Sequence, residues 1–113
     1  MQASGLGWLG IRSTEHEAIS ALLSTVLGLG PQRPEEGMTV FDLADGSQVE
    51  VFDTAYPGKE HLVTGPVPGF WVDDLPAGPA AARRAGRARR WRPGPSWQHF
   101  RAPGGLVLEL KAR

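Results

Sequence analysis

Residues 41–51 read Phe-Asp-Leu-Ala-Asp-Gly-Ser-Gln-Val-Glu-Val, and residues 100–110 read Phe-Arg-Ala-Pro-Gly-Gly-Leu-Val-Leu-Glu-Leu. A shift of 59 positions lays one stretch on the other. It carries Phe41 onto Phe100, Gly46 onto Gly105, Val49 onto Leu108, Glu50 onto Glu109 and Val51 onto Leu110, and further upstream Ile11 onto Phe70. Each stretch is a strand, a glycine turn and a second strand with a glutamate among apolar neighbours. An internal repeat of this kind implies two equivalent units related by pseudo-twofold symmetry.

Working outward, each hairpin is preceded by the same elements. Leu6–Arg12 is short and apolar and reads as a strand. Thr14 and Glu17 have capping-box spacing, and Ala18, Ile19, Leu22, Leu23, Val26 and Leu27 recur on one helical face until Gly28 and Gly30 stop it. Pro31–Gly37 is a polar loop. Met38–Leu43 and Gln48–Phe52 are strands joined at Asp45-Gly46, a two-residue hairpin signal. Tyr56–Gly65 is a linker. Val67–Val72 then opens the second unit. Asp73-Asp74 caps a helix through Ala80–Ala85 that is weakened by Gly78 and Pro79 and stopped at Gly86. Ala88–Arg92 is an edge strand, Ser96–Arg101 and Leu106–Leu110 are strands, and Pro103-Gly104-Gly105 is the turn between them. The fold class is therefore α+β: two βαβββ modules forming a curved mixed sheet, a cup, with helices on its outer face. Residues 1–113 form a single domain, with module one at about 5–55, a linker at 56–65 and module two at about 66–113.

Strand alternation assigns the faces. Leu9 and Ile11 turn toward the first helix, leaving Trp8, Gly10 and Arg12 for the concave side. Phe70 and Val72 turn toward the second helix, leaving Val67, Gly69 and Trp71. Met38, Val40 and Asp42 share the concave face in the first half, and Trp97, His99 and Arg101 in the second. Glu50 and Glu109 project there too. Charged residues are rarely buried without a partner or a role, so Glu50, His99 and Glu109 are the candidates for acid–base work. The ligand-binding set is Trp8, Val40, Glu50, Val67, Trp71, Trp97, His99, Arg101 and Glu109. Three tryptophans on one surface suit a flat or hydrophobic ligand. His16, at a helix start, and His61, in the linker, read as solvated.

In order and spacing the chain resembles the vicinal oxygen chelate superfamily of glyoxalases, bleomycin-resistance proteins, fosfomycin-resistance enzymes and extradiol dioxygenases. The likeness rests on Leu22–Leu29, which is similar to the family's helix end, on Asp45–Phe52, on Phe70–Asp74, and on Phe100–Leu110. That last stretch is similar to the family's closing motif with its two aspartates replaced by Ala102 and Gly104. The resemblance implies paired βαβββ modules around one pocket. In metal-dependent members it implies one metal ligand on the first and one on the last strand of each module. Those places hold Trp8, Glu50, Val67 and Glu109. Trp and Val offer no metal ligand, and His99 matches a position that contacts substrate in the fosfomycin enzymes. No cofactor is therefore expected; a divalent metal, if bound, would use Glu50 and Glu109. The expected function is metal-independent binding of a hydrophobic or aromatic small molecule, with antibiotic sequestration as one form of it. The alternatives are a metal-free or metal-dependent enzyme of lyase, isomerase or dioxygenase type using Glu50, Glu109 and His99.

Composition bounds the rest. The chain has 113 residues, 41% hydrophobic and 21% charged, with no cysteine and therefore no disulfide, thiol nucleophile or thiolate metal site. No apolar run is long enough to span a membrane, and Met1–Ser4 lacks the features of a signal peptide, so a cytoplasmic protein is expected. Net charge is zero but segregated: residues 1–60 carry nine acids and three bases, and residues 61–113 carry three acids and nine bases. Six of those bases, Arg83, Arg84, Arg87, Arg89, Arg90 and Arg92, fall in one run. With no nucleic-acid motif beside it, the run reads as a solvated face. The segregation, like the resemblance, points to a homodimer.

Overall fold

The computed structural model describes residues 1–30, 35–63, 65–84 and 91–113, the last beginning with three residues described by backbone alone. The element order is β1 (Ala3–Arg12), α1 (His16–Leu27), β2 (Met38–Asp42), β3 (Gln48–Phe52), β4 (Val67–Val72), a 3-10 turn (Leu75–Ala77), α2 (Gly78–Arg84), β5 (Trp91–Pro93), β6 (Trp97–Arg101), a second 3-10 turn (Pro103–Gly105) and β7 (Val107–Ala112). This is an α+β fold with a mixed sheet. The expected Gly86 stop, the start of the edge strand at Ala88, residues 31–34 of the polar loop and Arg87, Arg89 and Arg90 of the basic run lie outside the described residues. Arg83 and Arg84, at the end of α2, are exposed.

The chain divides into two compact units, Leu9–Pro66 and Met1–Trp8 with Val67–Arg113, so the boundary runs through β1.

In the unit Leu9–Pro66 the strand order is β2-β3-β1. Phe41, Val51 and Phe52 are fully buried, each contributing about 2 kcal/mol by removal from water. Helix α1 packs on β3. The Thr14–Glu17 capping box does not form. Glu15 is the N-cap residue and its side chain makes no cap bond, while the preceding turn is held by Ser13, whose Oγ accepts from the Glu15 N–H at 3.0 Å. The C-terminus ends as the sequence predicts, with Gly28 left-handed at φ 65° and its N–H donating to the Leu23 carbonyl. The apolar face of α1 is wider than the strip that packs: Ile19 and Leu23 are half-buried, whereas Leu22, Val26 and Leu27 are exposed. His61 is buried rather than solvated, because the linker folds back in a turn closed by the Leu62 N–H and the Lys59 carbonyl and buries Leu62 beside it.

In the second unit the order is β1-β4-β7-β6-β5. β4 and β7 are parallel; β6 is antiparallel to both β7 and β5. Val72, Leu75 and Leu110 form a core patch with Phe100 and Ala112 packed on it, so Val72 turns toward the 3-10 turn that follows β4. Asp74 caps the 3-10 turn, its Oδ1 accepting from the Ala77 N–H at 3.3 Å. β1 begins at Ala3 rather than Leu6. Its glycines weaken the local strand signal, but the Trp71 indole lies across them. A Cβ on Gly7 would stand 2.2 Å from the Trp71 Nε1, and one on Gly5 would stand 3.4 Å from the same ring. Tertiary packing of Trp71 thus requires the glycines that propensity counts against the strand.

The two hairpins are one design repeated. β2 shifted by 59 is β6, and β3 so shifted begins β7. In the first turn the Leu43 N–H donates to the Ser47 carbonyl at 2.8 Å and the Gly46 N–H to the Leu43 carbonyl at 3.0 Å; in the second, Ala102 to Leu106 at 2.7 Å and Gly105 to Ala102 at 3.1 Å repeat them. These are three-residue loops closed by a glycine at φ 88° (Gly46) or 87° (Gly105), not the two-residue turn that Asp45-Gly46 suggests. Asp45 instead accepts from the Ser47 N–H and stabilises the longer loop. At the open ends the Asp53 N–H to Gly37 carbonyl bond (2.7 Å) corresponds to Ala112 to Ser96 (2.9 Å).

Candidate functional site

The register of the second hairpin places His99 directly opposite Glu109, and in the parallel pair Gly69 lies opposite Glu109. Directly opposed residues share a face. The imidazole and the carboxylate meet there: His99 Nε2 and Glu109 Oε2 are 2.7 Å apart. Both residues are almost fully buried, 2% and 3% exposed. At that length and depth the bond is a strong one, with one proton lying between the ring nitrogen and the carboxyl oxygen.

Two indoles frame the imidazole. The Trp8 ring centroid is 5.5 Å from that of His99 at 36°, and the Trp97 centroid is 4.6 Å away at 37°. Gly69 leaves room for this arrangement: a Cβ there would stand 2.8 Å from the Trp8 Cβ and 3.1 Å from Glu109 Oε1. Gly94 does the same for Trp97, since a Cβ on it would fall 2.4 Å from the indole. Gly7 and Trp8, adjacent in sequence, both meet the face of β4 that carries Gly69 and Trp71, so strict alternation is broken between them.

The other residues singled out in the sequence fall as follows. Trp71 is buried on the same face, with the Arg113 guanidinium 4.0 Å over its ring. Val67 is fully buried. Arg101 is half-buried, and its Nη1 donates to the Gly105 carbonyl at 3.1 Å. Val40 and Glu50 belong to the other unit, where they stand opposite each other; Val40 is buried and Glu50 half-buried. Arg12, also in that unit, donates from Nη2 to the Thr54 carbonyl at 2.9 Å. Trp8 and Val67, at two of the four places where the resemblance implies metal ligands, do not fit that role, because neither side chain carries a metal-binding atom. Among the described residues no group of three or more His, Asp or Glu is gathered as a metal site.

Strand alternation alone places His99 and Glu109 on one face without pairing them. The register could have been found by counting outward from the turn. If Ala102 faces Leu106 across Pro103-Gly104-Gly105, three further steps bring His99 opposite Glu109.

A second concave region lies wholly in the unit Leu9–Pro66. It is a cavity of about 640 Å³ lined by residues that include His16, Ser20, Glu35, Asp53 and Tyr56. The Tyr56 hydroxyl donates to Glu35 Oε1 at 2.7 Å. That hydrogen bond, partial burial and the negative charges of Glu35 and Glu50 raise the Tyr56 pKa above its ordinary value. His16, read as solvated, is half-buried at the cavity wall. Among the described residues no helix is long and apolar enough to cross a membrane.

No protein-family model matches the chain, and no curated protein matches it in sequence. Its structure, in contrast, is widely shared. It is similar to methylmalonyl-CoA epimerase from Mycobacterium tuberculosis, with a TM-score of 0.68 and 19% identity over 97% of this chain and 88% of that one. It is similar to a glyoxalase/bleomycin resistance protein/dioxygenase superfamily member from Vibrio splendidus, with a TM-score of 0.64 and 14% identity over 93% and 96%. It is also similar to the Mn(II)-bound glyoxalase from Novosphingobium aromaticivorans, with a TM-score of 0.72 and 16% identity over 98% of this chain and 39% of that one. At these identities the likeness speaks for the fold, and with the repeated hairpins it establishes that the chain has the vicinal oxygen chelate fold.

Proposed function

We propose that this protein binds a hydrophobic or aromatic small molecule, without a metal ion, on the face of the second unit that carries Trp8, Trp97, His99 and Glu109. The observation that carries the reading is the 2.7 Å bond between His99 and Glu109 under two indoles. The glutamate that metal-dependent relatives would offer to an ion is here held by an imidazole, and the places of two further ligands hold Trp8 and Val67. What remains is an aromatic wall with a polar centre. Trp97, half-buried, is its accessible edge, and stacking on an indole contributes about 1 kcal/mol beyond area burial. Antibiotic sequestration is one form such binding takes in proteins of this fold.

The test is a tryptophan-fluorescence titration against a panel of planar and apolar compounds, with metal analysis of the same preparation. The reading predicts ligand-dependent quenching that Trp97→Ala weakens about tenfold, in protein free of stoichiometric metal. Quenching that Trp97→Ala leaves unchanged, or one bound divalent ion per chain lost in Glu109→Gln, would overturn it.

The His99–Glu109 pair also favours a second reading, acid–base catalysis of lyase or isomerase type, because an imidazole and a carboxylate sharing a proton can deliver and withdraw it. The structural neighbours include an epimerase. On this reading His99→Gln abolishes turnover of a bound substrate while its binding survives.

A further inference from the structure

We infer that the outward face of helix α1 is an interface, seated against the second unit of another copy of this chain. The inference is independent of the binding reading above. From Ala18 to Leu29 the sequence holds no charged residue. A helix on a solvated surface turns a charged or polar face outward, and α1 does not. Its inward strip, with Ile19 and Leu23, is only half-buried, and no residue of the helix is fully buried. Ala18, Ala21, Leu22, Thr25 and Val26 recur at three- and four-residue spacing and so line up on one face. All five are exposed, Leu22 at 59% and Val26 at 67%. An uncharged stripe of this length needs a cover.

Charge identifies the cover. The unit that carries α1 has nine acids and three bases, a net charge of −6, and the other unit has three acids and nine bases, a net charge of +6. Two copies therefore carry no net repulsion, while the acidic unit of each attracts the basic unit of the other. The ends of the stripe suit this pairing. Glu15 and Glu17 are exposed at the start of α1, and Arg83 and Arg84 are exposed at the end of α2. Antiparallel placement of α2 from one copy beside α1 of another brings the two arginines to the two glutamates and sets the helix dipoles head to tail. A lipid surface meets the stripe less well, because its anionic headgroups repel the acidic unit.

Sedimentation velocity over a dilution series, at low and high salt, tests this. The wild-type chain is expected to self-associate, and less so as salt rises. Leu22→Asp, at an exposed position, should keep the wild-type circular dichroism spectrum and raise the dissociation constant about tenfold or more. Glu15→Arg with Glu17→Arg should raise it about fivefold, as should Arg83→Glu with Arg84→Glu. Mixing those two charge-reversed chains should restore association, since each then meets the opposite sign. A wild-type chain that stays monomeric throughout, including one that instead binds neutral lipid vesicles through Leu22, overturns the inference. Association unchanged in Leu22→Asp overturns α1 as the interface. Association lost in Leu22→Asp, but indifferent to both reversals or not restored by mixing them, overturns the basic unit as its cover. If Leu22→Asp does not fold, the two reversals and their mixture decide it.

Discussion

The hairpin of residues 38–52 and the hairpin of residues 97–112 share a backbone down to individual turn bonds, yet they present different faces. Met38, Val40 and Asp42 in the first correspond to Trp97, His99 and Arg101 in the second. The glutamate is kept in both, opposite Val40 in one and opposite His99 in the other. Its surroundings follow its partner. Glu50, facing valine, is half-buried; Glu109, facing imidazole, is 3% exposed. A carboxylate is buried at tolerable cost where a hydrogen-bonding partner meets it, and His99 is that partner for Glu109. One residue across the strand thus distinguishes the two carboxylates.

The largest break in this comparison is removal of each glutamate in turn. Glu109→Ala strands a buried imidazole and should cost about 3 kcal/mol in urea denaturation, whereas Glu50→Ala should cost under about 1 kcal/mol. Equal losses would show that the two carboxylates are held alike. A smaller effect tests what the hairpins share. Gly46→Ala and Gly105→Ala each force a side chain into the left-handed region, and each should cost about 1 kcal/mol; a difference well beyond that would mean the turns are not equivalent. The smallest effect concerns the first unit alone. Tyr56 is the sole tyrosine, so ultraviolet titration reads it directly. Its hydrogen bond to Glu35 favours the neutral phenol and places the midpoint above the ordinary value. Because the folded-state pKa is the higher one, the stabilisation is whole below the unfolded-state pKa of about 10 and is lost as pH rises through the folded one. Glu35→Gln should bring the midpoint down; an unchanged midpoint would remove Glu35 as the cause.

Legibility in the sequence followed locality. The hairpins could be read because period-two alternation and a glycine at a fixed offset are local signals, and Val67–Val72 was read to the residue. What escaped reading was set by distant packing. The first residues of β1 look too glycine-rich for a strand until Trp71 is known to lie over Gly5 and Gly7. His61 looks solvated until its turn is known to fold inward. The α1 cap falls to Glu15 rather than Thr14, and the Ser13 Oγ accepts from the Glu15 N–H in the turn before it. At the site, residue identities were legible and their pairing was not, because a register is a relation between two strands and becomes visible only when the turn is assigned its length.

Strand β1 serves two masters: Leu9–Arg12 belongs to one unit, while the residues before Leu9 belong to the other, where Gln2 bonds Asp73, 71 positions further along the chain. During synthesis the segment bearing Trp8 must therefore wait, without its neighbours, until some hundred residues have followed it and His99 and Glu109 exist to receive it. Loop closure over that span is slow relative to hairpin formation. The face that carries Trp8, His99 and Glu109 is thus completed late, and a truncated chain ending in the linker would carry an orphaned tryptophan strand open to pairing with other chains.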